Sequence, residues 1–418
     1  MTDLFSPLTL PNGTVLPNRI CKAAMEENMA EFGQLPGQAL HNLYRTWGKG
    51  TPGLILTGNV MVDPQALTGP GGVVLQKGTL DDADARARFE KWSSLAKAGG
   101  SKVWMQISHP GRQVYASQGT EAVSASATKV AMQGAEKMFA TARALTSDEI
   151  EAMVTRFADT SEAAEACGFD GVEIHAAHGY LVAQFLSPLS NHRDDKWGGS
   201  LENRARFLLE IIKAVRARVS PEFGVSVKLN SADFQRGGFD IDDARQVVEM
   251  MNDLGVDLVE LSGGNYESAA MMGMPDDERF TSTEKREMYF VDFAKDIRGS
   301  AKMPLMVTGG VTKRASADAA LAEGNVDVIG IARAFAYAPH LPKDWETEGA
   351  SAAVTIPPVK FKNKLLAVLG AMSKTKVQLH RMGAGDAPKP SASPLLAIIK
   401  DRIRVSKLTK RYRKWLDA

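Results

Sequence analysis

The sequence predicts a (β/α)₈ TIM barrel with an N-terminal hairpin cap and a basic helical C-terminal extension. Three observations carry this prediction. Eight short apolar runs of strand character recur along the chain, each except the last followed by a long helical pattern. Their span of about 340 residues suits eight such units with insertions. The first run leads into "CKAAMEENMAEFG", without the G-x-G-x-x-G turn that a doubly wound open sheet usually shows.

Taken in order, "LTLPNGTVLPN" comes first. Its Asn12-Gly13 pair between alternating apolar residues signals a hairpin, placed to cap the lower mouth of a barrel. The strand candidates follow at 19–24, 53–59, 102–108, 171–177, 224–230, 258–264, 304–310 and 327–332. Helical patterns lie between them at 36–49, 81–99, 147–167, 200–219, 241–254, 284–298 and 313–323. Ser147 with Glu149 and Ile150 reads as a helix start, and Gly168 and Gly255 read as stops. Residues 109–146 form a long excursion rich in Ser, Ala, Thr and Gly, the length of a lid or capping piece.

The chain divides near residue 345. Residues 1–345 hold the eight strand units, and residues 346–418 form a separate extension. The extension reads as two amphipathic helices broken at "GAGDAPKPSASP". From Lys360 onward, fifteen Lys and Arg face three Asp and Glu, a net charge of +12. The whole chain carries +1, so the first 359 residues carry −11. A basic tail on an acidic body either docks on that body or binds an anionic surface or partner. The strand units are complete before Ala338, so the tail is expected to stand as an autonomous appendage and to offer a surface for homo-oligomer formation.

Composition narrows the class. A hydrophobic content of 44% with 24% charged residues allows a sizeable buried core. No run of eighteen apolar residues appears, so no transmembrane segment is expected. Neither a basic secretory leader nor a disulfide framework is visible. The two cysteines, Cys21 and Cys167, suit a reducing, cytoplasmic setting. No nucleic-acid role is expected.

Active sites of such barrels lie at the C-terminal ends of the strands. There the stretch "GVEIHAAHGYLVAQFLSP" (171–188) places His175, His178 and Tyr180. The His-x-x-His spacing admits two readings: a metal site completed by Glu173, or histidines that hydrogen-bond at the barrel mouth. Lys228 also ends a strand, where a desolvated lysine can form a Schiff base. Gly309 and Gly310 after the seventh strand, with Ala332 and Arg333 after the eighth, stand where these barrels bind phosphate.

The segment "GVEIHAAHGYLVAQFLSPLSNHRDDKWGGSLENRARFLLEII" closely resembles the signature of the Old Yellow Enzyme family, the FMN-dependent ene-reductases. "LFSPLTLPNGTVLPNRI", "QISHPGR" and "IGIARAF" resemble it too, and the likeness covers residues 3–343. The resemblance implies a barrel that holds FMN and takes hydride from NADH or NADPH. It implies a small electron-poor alkene as substrate and no metal. Ala24 and Met25 would lie along the flavin, Gly58 near its carbonyl edge and Gln106 against its pyrimidine ring. Lys228 would bring positive charge to N1 and O2. Gly309, Gly310, Ala332 and Arg333 would hold the phosphate. His175 and His178 would bind the substrate oxygen, and Tyr180 would protonate carbon. Glu26 departs from the pattern, standing where many relatives carry a hydrogen-bond donor to flavin O4. An ionised Glu only accepts, so Glu26 either turns away or lowers the flavin potential. No cysteine follows Cys167, so the iron–sulfur centre of the fused family members has no ligands here. A second class of function stays open: a flavin-binding barrel that works chiefly through its basic tail as an interaction module.

Overall fold

The computed structural model describes residues 3–131, 137–264 and 283–418. Residues 132–136 of the long excursion lie outside the described residues. Eight parallel strands close into a barrel: β1 Ile20–Lys22, β2 Leu54–Leu56, β3 Lys102–Ser108, β4 Gly171–Ala176, β5 Gly224–Asn230, β6 Leu258–Ser262, β7 Leu305–Gly309 and β8 Val328–Ile331. Each strand pairs with the next, β8 pairs with β1, and β3 pairs with β4.

Strand alternation makes two cores. Outward residues such as Val172, Ile174, Val225 and Val227 pack under the helices in the main apolar cluster. Inward residues at the lower end, Cys21, Leu54, Leu56, Trp104, Leu258, Met306 and Val328, form a second cluster. Trp104 fills this floor because Gly171 and Gly224 have no side chains. A Cβ on Gly224 would stand 2.2 Å from the indole. The hairpin of Leu8–Thr9 and Val15–Leu16 plugs the lower mouth with Leu10 and Leu16.

The helices fall where the periodicity places them. The third starts at Ser147, as its sequence signal places it. Thr146 is its N-cap, in a reciprocal capping box with Glu149. Gly168 and Gly255 end their helices with positive φ. The run at 53–59 is interrupted: Thr57 to Asn59 leave the ladder, and Val60–Met61 resumes on the far end of β3.

The extension forms helices Lys364–Gly383 and Pro394–Leu416. It does not stand apart from the barrel. Tyr412 is fully buried beside Met61, Leu67 and Val74, and its hydroxyl donates to Pro64 O at 2.7 Å. Arg404 and Arg411 donate to the carbonyls of Asn28 and Ala30, and Arg413 to that of Gln118. His380 Nε2 lies 3.2 Å from Glu27 O. Charge contrast suggested autonomy. Apolar burial and carbonyl-directed arginines decide otherwise.

Candidate active site

The floor of the upper barrel is built from four side chains on adjacent strands. Register sets Glu173 beside Gln106, and Lys228 between His175 and Glu260. Lys228 Nζ lies 2.7 Å from Glu260 Oε1, and both groups are buried. Gln106 Nε2 donates to Glu173 Oε1 at 2.6 Å. The buried carboxyls of Glu173 and Glu260 interact, and two neighbouring buried carboxyls favour one of them keeping its proton. Burial, then the charge of Glu260, pushes the Glu173 pKa well above the carboxylate range. Burial opposes ionisation of Glu260 too, but Lys228 outweighs it and the pKa falls. Burial likewise works against the Lys228 charge; Glu260 and Glu173 outweigh it and raise the pKa. The floor therefore holds an ammonium, a carboxylate, a carboxylic acid and an amide, with no net charge.

Above the floor stand His175, His178 and Tyr180. The His175 and His178 ring centroids are 5.1 Å apart, and Tyr180 stacks edge-on at 4.8 Å from His175. His175 Nδ1 accepts from Ala177 N at 3.2 Å, which leaves the hydrogen on Nε2. His178 Nε2 meets Ser262 Oγ at 2.8 Å; with Ser262 donating, the hydrogen sits on Nδ1. Burial first, then neighbouring positive charge, holds both imidazoles well below their usual pKa, hence neutral. His178 has φ +59°, a left-handed conformation costly for a residue with Cβ. Its N–H donates to Asn230 Oδ1, and Gln113 and Gln184 grip the carbonyl of Gly179. These bonds hold the strained turn.

The remaining rim residues fall in two groups. Ala24, Met25 and Glu26 follow β1. Glu26 turns to Thr68, whose hydroxyl donates to it at 2.6 Å. Gly58 directs its N–H to Tyr44 and Glu27, so that donor serves the wall and not the cavity. No side chain fits there, since a Cβ would lie 2.0 Å from Glu27 Oε2. Across the barrel, Gly309 pairs with Ile331, which brings Gly310 next to Ala332 and Arg333. Space above Gly310 is open within 4 Å of a built Cβ.

Sequence reasoning placed Ser262 at a strand end of the pocket but missed Glu260, Asn230, Gln113 and Gln184, and read Glu173 only as a metal ligand. Glu173 instead turns to Gln106 and Glu260. Among the described residues no three His, Cys, Asp or Glu converge on a cation site. A Lys228 held as ammonium is also no Schiff-base nucleophile. The missed signal was the placement of Glu173, Lys228 and Glu260 at inward positions of otherwise apolar strands.

Residues 3–349 match the NADH:flavin oxidoreductase / NADH oxidase family. The chain belongs to this family. It is 37% identical over 351 residues to the NADH-dependent flavin oxidoreductase iliE of Hypocrea jecorina, covering 81% of this chain and 87% of that one. It is 33% identical to the NADPH dehydrogenase of Bacillus subtilis, over 79% and 90% of the two chains. Among solved structures it resembles the old yellow enzyme homologue from Zymomonas mobilis, with 25% identity, a TM-score of 0.70, and 85% and 95% coverage. Morphinone reductase shares the fold at 24% identity, a TM-score of 0.68, and 85% and 91% coverage. The protein is thus a flavin-dependent oxidoreductase that takes electrons from NAD(P)H.

The residues present fit a flavin. Ser108 Oγ, at the upper end of β3, and Asn59 Oδ1, in the segment after β2, are buried without protein partners. Open glycine backbone beside Arg333 suits a phosphate, and the Lys228 charge suits an electron-rich ring.

Proposed function

We propose that this oxidoreductase binds FMN and reduces activated C=C bonds, such as those of enones and nitroalkenes. Bound FMN would supply the hydride chemistry, receiving hydride from NADH or NADPH and passing it to the alkene β-carbon. The protein's own groups do the rest. Ala24, Met25 and Gly58 would line the flavin ring, and Gln106 and Lys228 would meet its pyrimidine end. Gly309, Gly310, Ala332 and Arg333 take the phosphate. His175 Nε2–H and His178 Nδ1–H donate to the carbonyl or nitro oxygen, drawing electrons from the double bond. Tyr180 gives its hydroxyl proton to the α-carbon and regains one from water. The observation that carries this reading is the pair of neutral imidazoles, His175 buried and His178 half-buried, with Tyr180 against His175. Neutral rings donate without bringing a full charge that would favour anions over alkenes.

Tyr180→Phe tests it. Loss of a positioned acid costs about 10²–10⁴-fold. Stopped-flow traces should show flavin reduction by NAD(P)H near the wild-type rate, with reoxidation by an enone slowed by that factor. Nitroalkenes, whose product can leave as a nitronate, should be affected much less. Equal slowing of both half-reactions would remove Tyr180 from proton donation.

A further inference from the structure

The extension keeps two kinds of surface that the barrel does not cover. Among the described residues eleven large apolar side chains stand exposed, and seven belong to the extension. Leu365, Leu366 and Met372 are on its first helix. Leu395, Leu396, Ile399 and Ile403 are on its second, each 47–58% exposed.

These residues share one end of the molecule because the helices run parallel. Gly370 lies against Pro394, Lys376 pairs with Asp401, and His380 and Arg404 reach the same loop at Glu27 and Asn28. The offset is constant, so both N-terminal halves project together while the C-terminal halves dock. From Leu395 to Ile403 the apolar stripe is about 12 Å long.

The charge is uncovered as well. Among the described residues no ion pair joins the extension to the acidic barrel. Its own pairs are Lys376–Asp401 and Arg381–Asp386. Docking uses backbone carbonyls, so the +12 is not neutralised by the −11 body. Lys400 and Arg402 flank the stripe, and Lys407, Lys410 and Lys414 continue along the helix. A cleft of about 590 Å³ between the helices, lined by Lys376, Lys400, Arg404 and Lys407 together with Asp386 and Asp401, opens beside Ile403.

We propose that the N-terminal halves of the two extension helices dock on an anionic phospholipid bilayer. Leu395, Leu396, Ile399 and Ile403 enter the boundary between headgroups and acyl chains. The lysines meet acidic headgroups, and the cleft admits a headgroup phosphate. Apolar contact with flanking cations is how a helix lies on a membrane without crossing it. No described helix is long and apolar enough to cross one. A second copy fits this face less well. A two-fold contact sets like patches together and would oppose two +12 surfaces, and an extension-to-barrel contact is heterologous and runs on into filaments. The inference does not depend on the alkene chemistry.

Vesicle flotation of the full chain tests it. The protein should float with vesicles of phosphatidylcholine mixed with phosphatidylserine, stay behind with phosphatidylcholine alone, and be released as salt rises. Leu395→Ser/Leu396→Ser/Ile399→Ser should lose about tenfold or more in partitioning. Lys400→Glu/Lys407→Glu should lose a similar factor. Both variants should keep wild-type circular dichroism and flavin content. Wild-type protein that ignores anionic vesicles, or a triple variant that floats like wild type, overturns the proposal. So does light scattering that finds a wild-type dimer which the triple variant converts to monomer, since a second copy then covers the face.

Discussion

The barrel floor and the C-terminal extension treat charge in opposite ways. In the floor every ionised group has a partner: Lys228 has Glu260, and Glu173 keeps its proton because it is buried and Glu260 is beside it. In the extension most cations face solvent, and those that dock do so on carbonyl oxygens. Low dielectric makes an unpaired charge costly inside, and water makes it nearly free outside. The floor can therefore hold a defined charge next to a cofactor, whereas the extension can offer its charge to a partner.

The comparison can be broken most severely at the floor. Removing Glu260 alone lets Glu173 ionise in its place. Glu260→Ala with Glu173→Gln strands Lys228, at a cost of about 3–5 kcal/mol. Urea unfolding should show that loss for the double variant and a clearly smaller one for Glu260→Ala. Equal losses would mean that Glu173 does not exchange its proton for a charge.

A middle effect is expected at Arg333, the proposed phosphate end of the mouth. Arg333→Ala removes charge-assisted bonds worth about 1.5–3 kcal/mol. Flavin affinity, read by fluorescence on dilution, should fall about ten- to a hundredfold. A variant that keeps its flavin through dialysis would place the phosphate elsewhere. The smallest effect sharpens the contrast. Lys376 and Asp401 pair at 3.9 Å near the surface of the extension. Asp401→Ala should change stability by less than about 1 kcal/mol, against several for the buried pair. A comparable loss at both sites would undo the distinction between them.

Much of this site was legible because its residues occupy strand ends. His175, His178 and Tyr180 lie within six residues, and the glycines and Arg333 follow their strands directly. Their roles as donors needed geometry. The contact from Ala177 fixes the His175 tautomer, and the Ser262 contact engages Nε2 of His178. The resemblance put Gly58 near the flavin's carbonyl edge, but its N–H points to Tyr44 and Glu27, 14 and 31 residues away. Glu26 was visible as a departure, and its turn toward Thr68 was one of the two outcomes its chemistry allowed.

What the sequence determined by itself was local: strand alternation, the Asn12-Gly13 hairpin, and helix starts and stops. Each depends on hydrogen bonds and sterics within a few residues, so composition and spacing carry them. Tertiary structure alone decided the pairings. Gln106 meets Glu173 across 67 residues, and Lys228 meets Glu260 across 32. His380 and Arg404 find Glu27 and Asn28 across more than 350. A buried charge takes the partner that strand register sets beside it, and an amphipathic helix takes whichever apolar face the closed barrel leaves open. Neither choice exists until the barrel has closed.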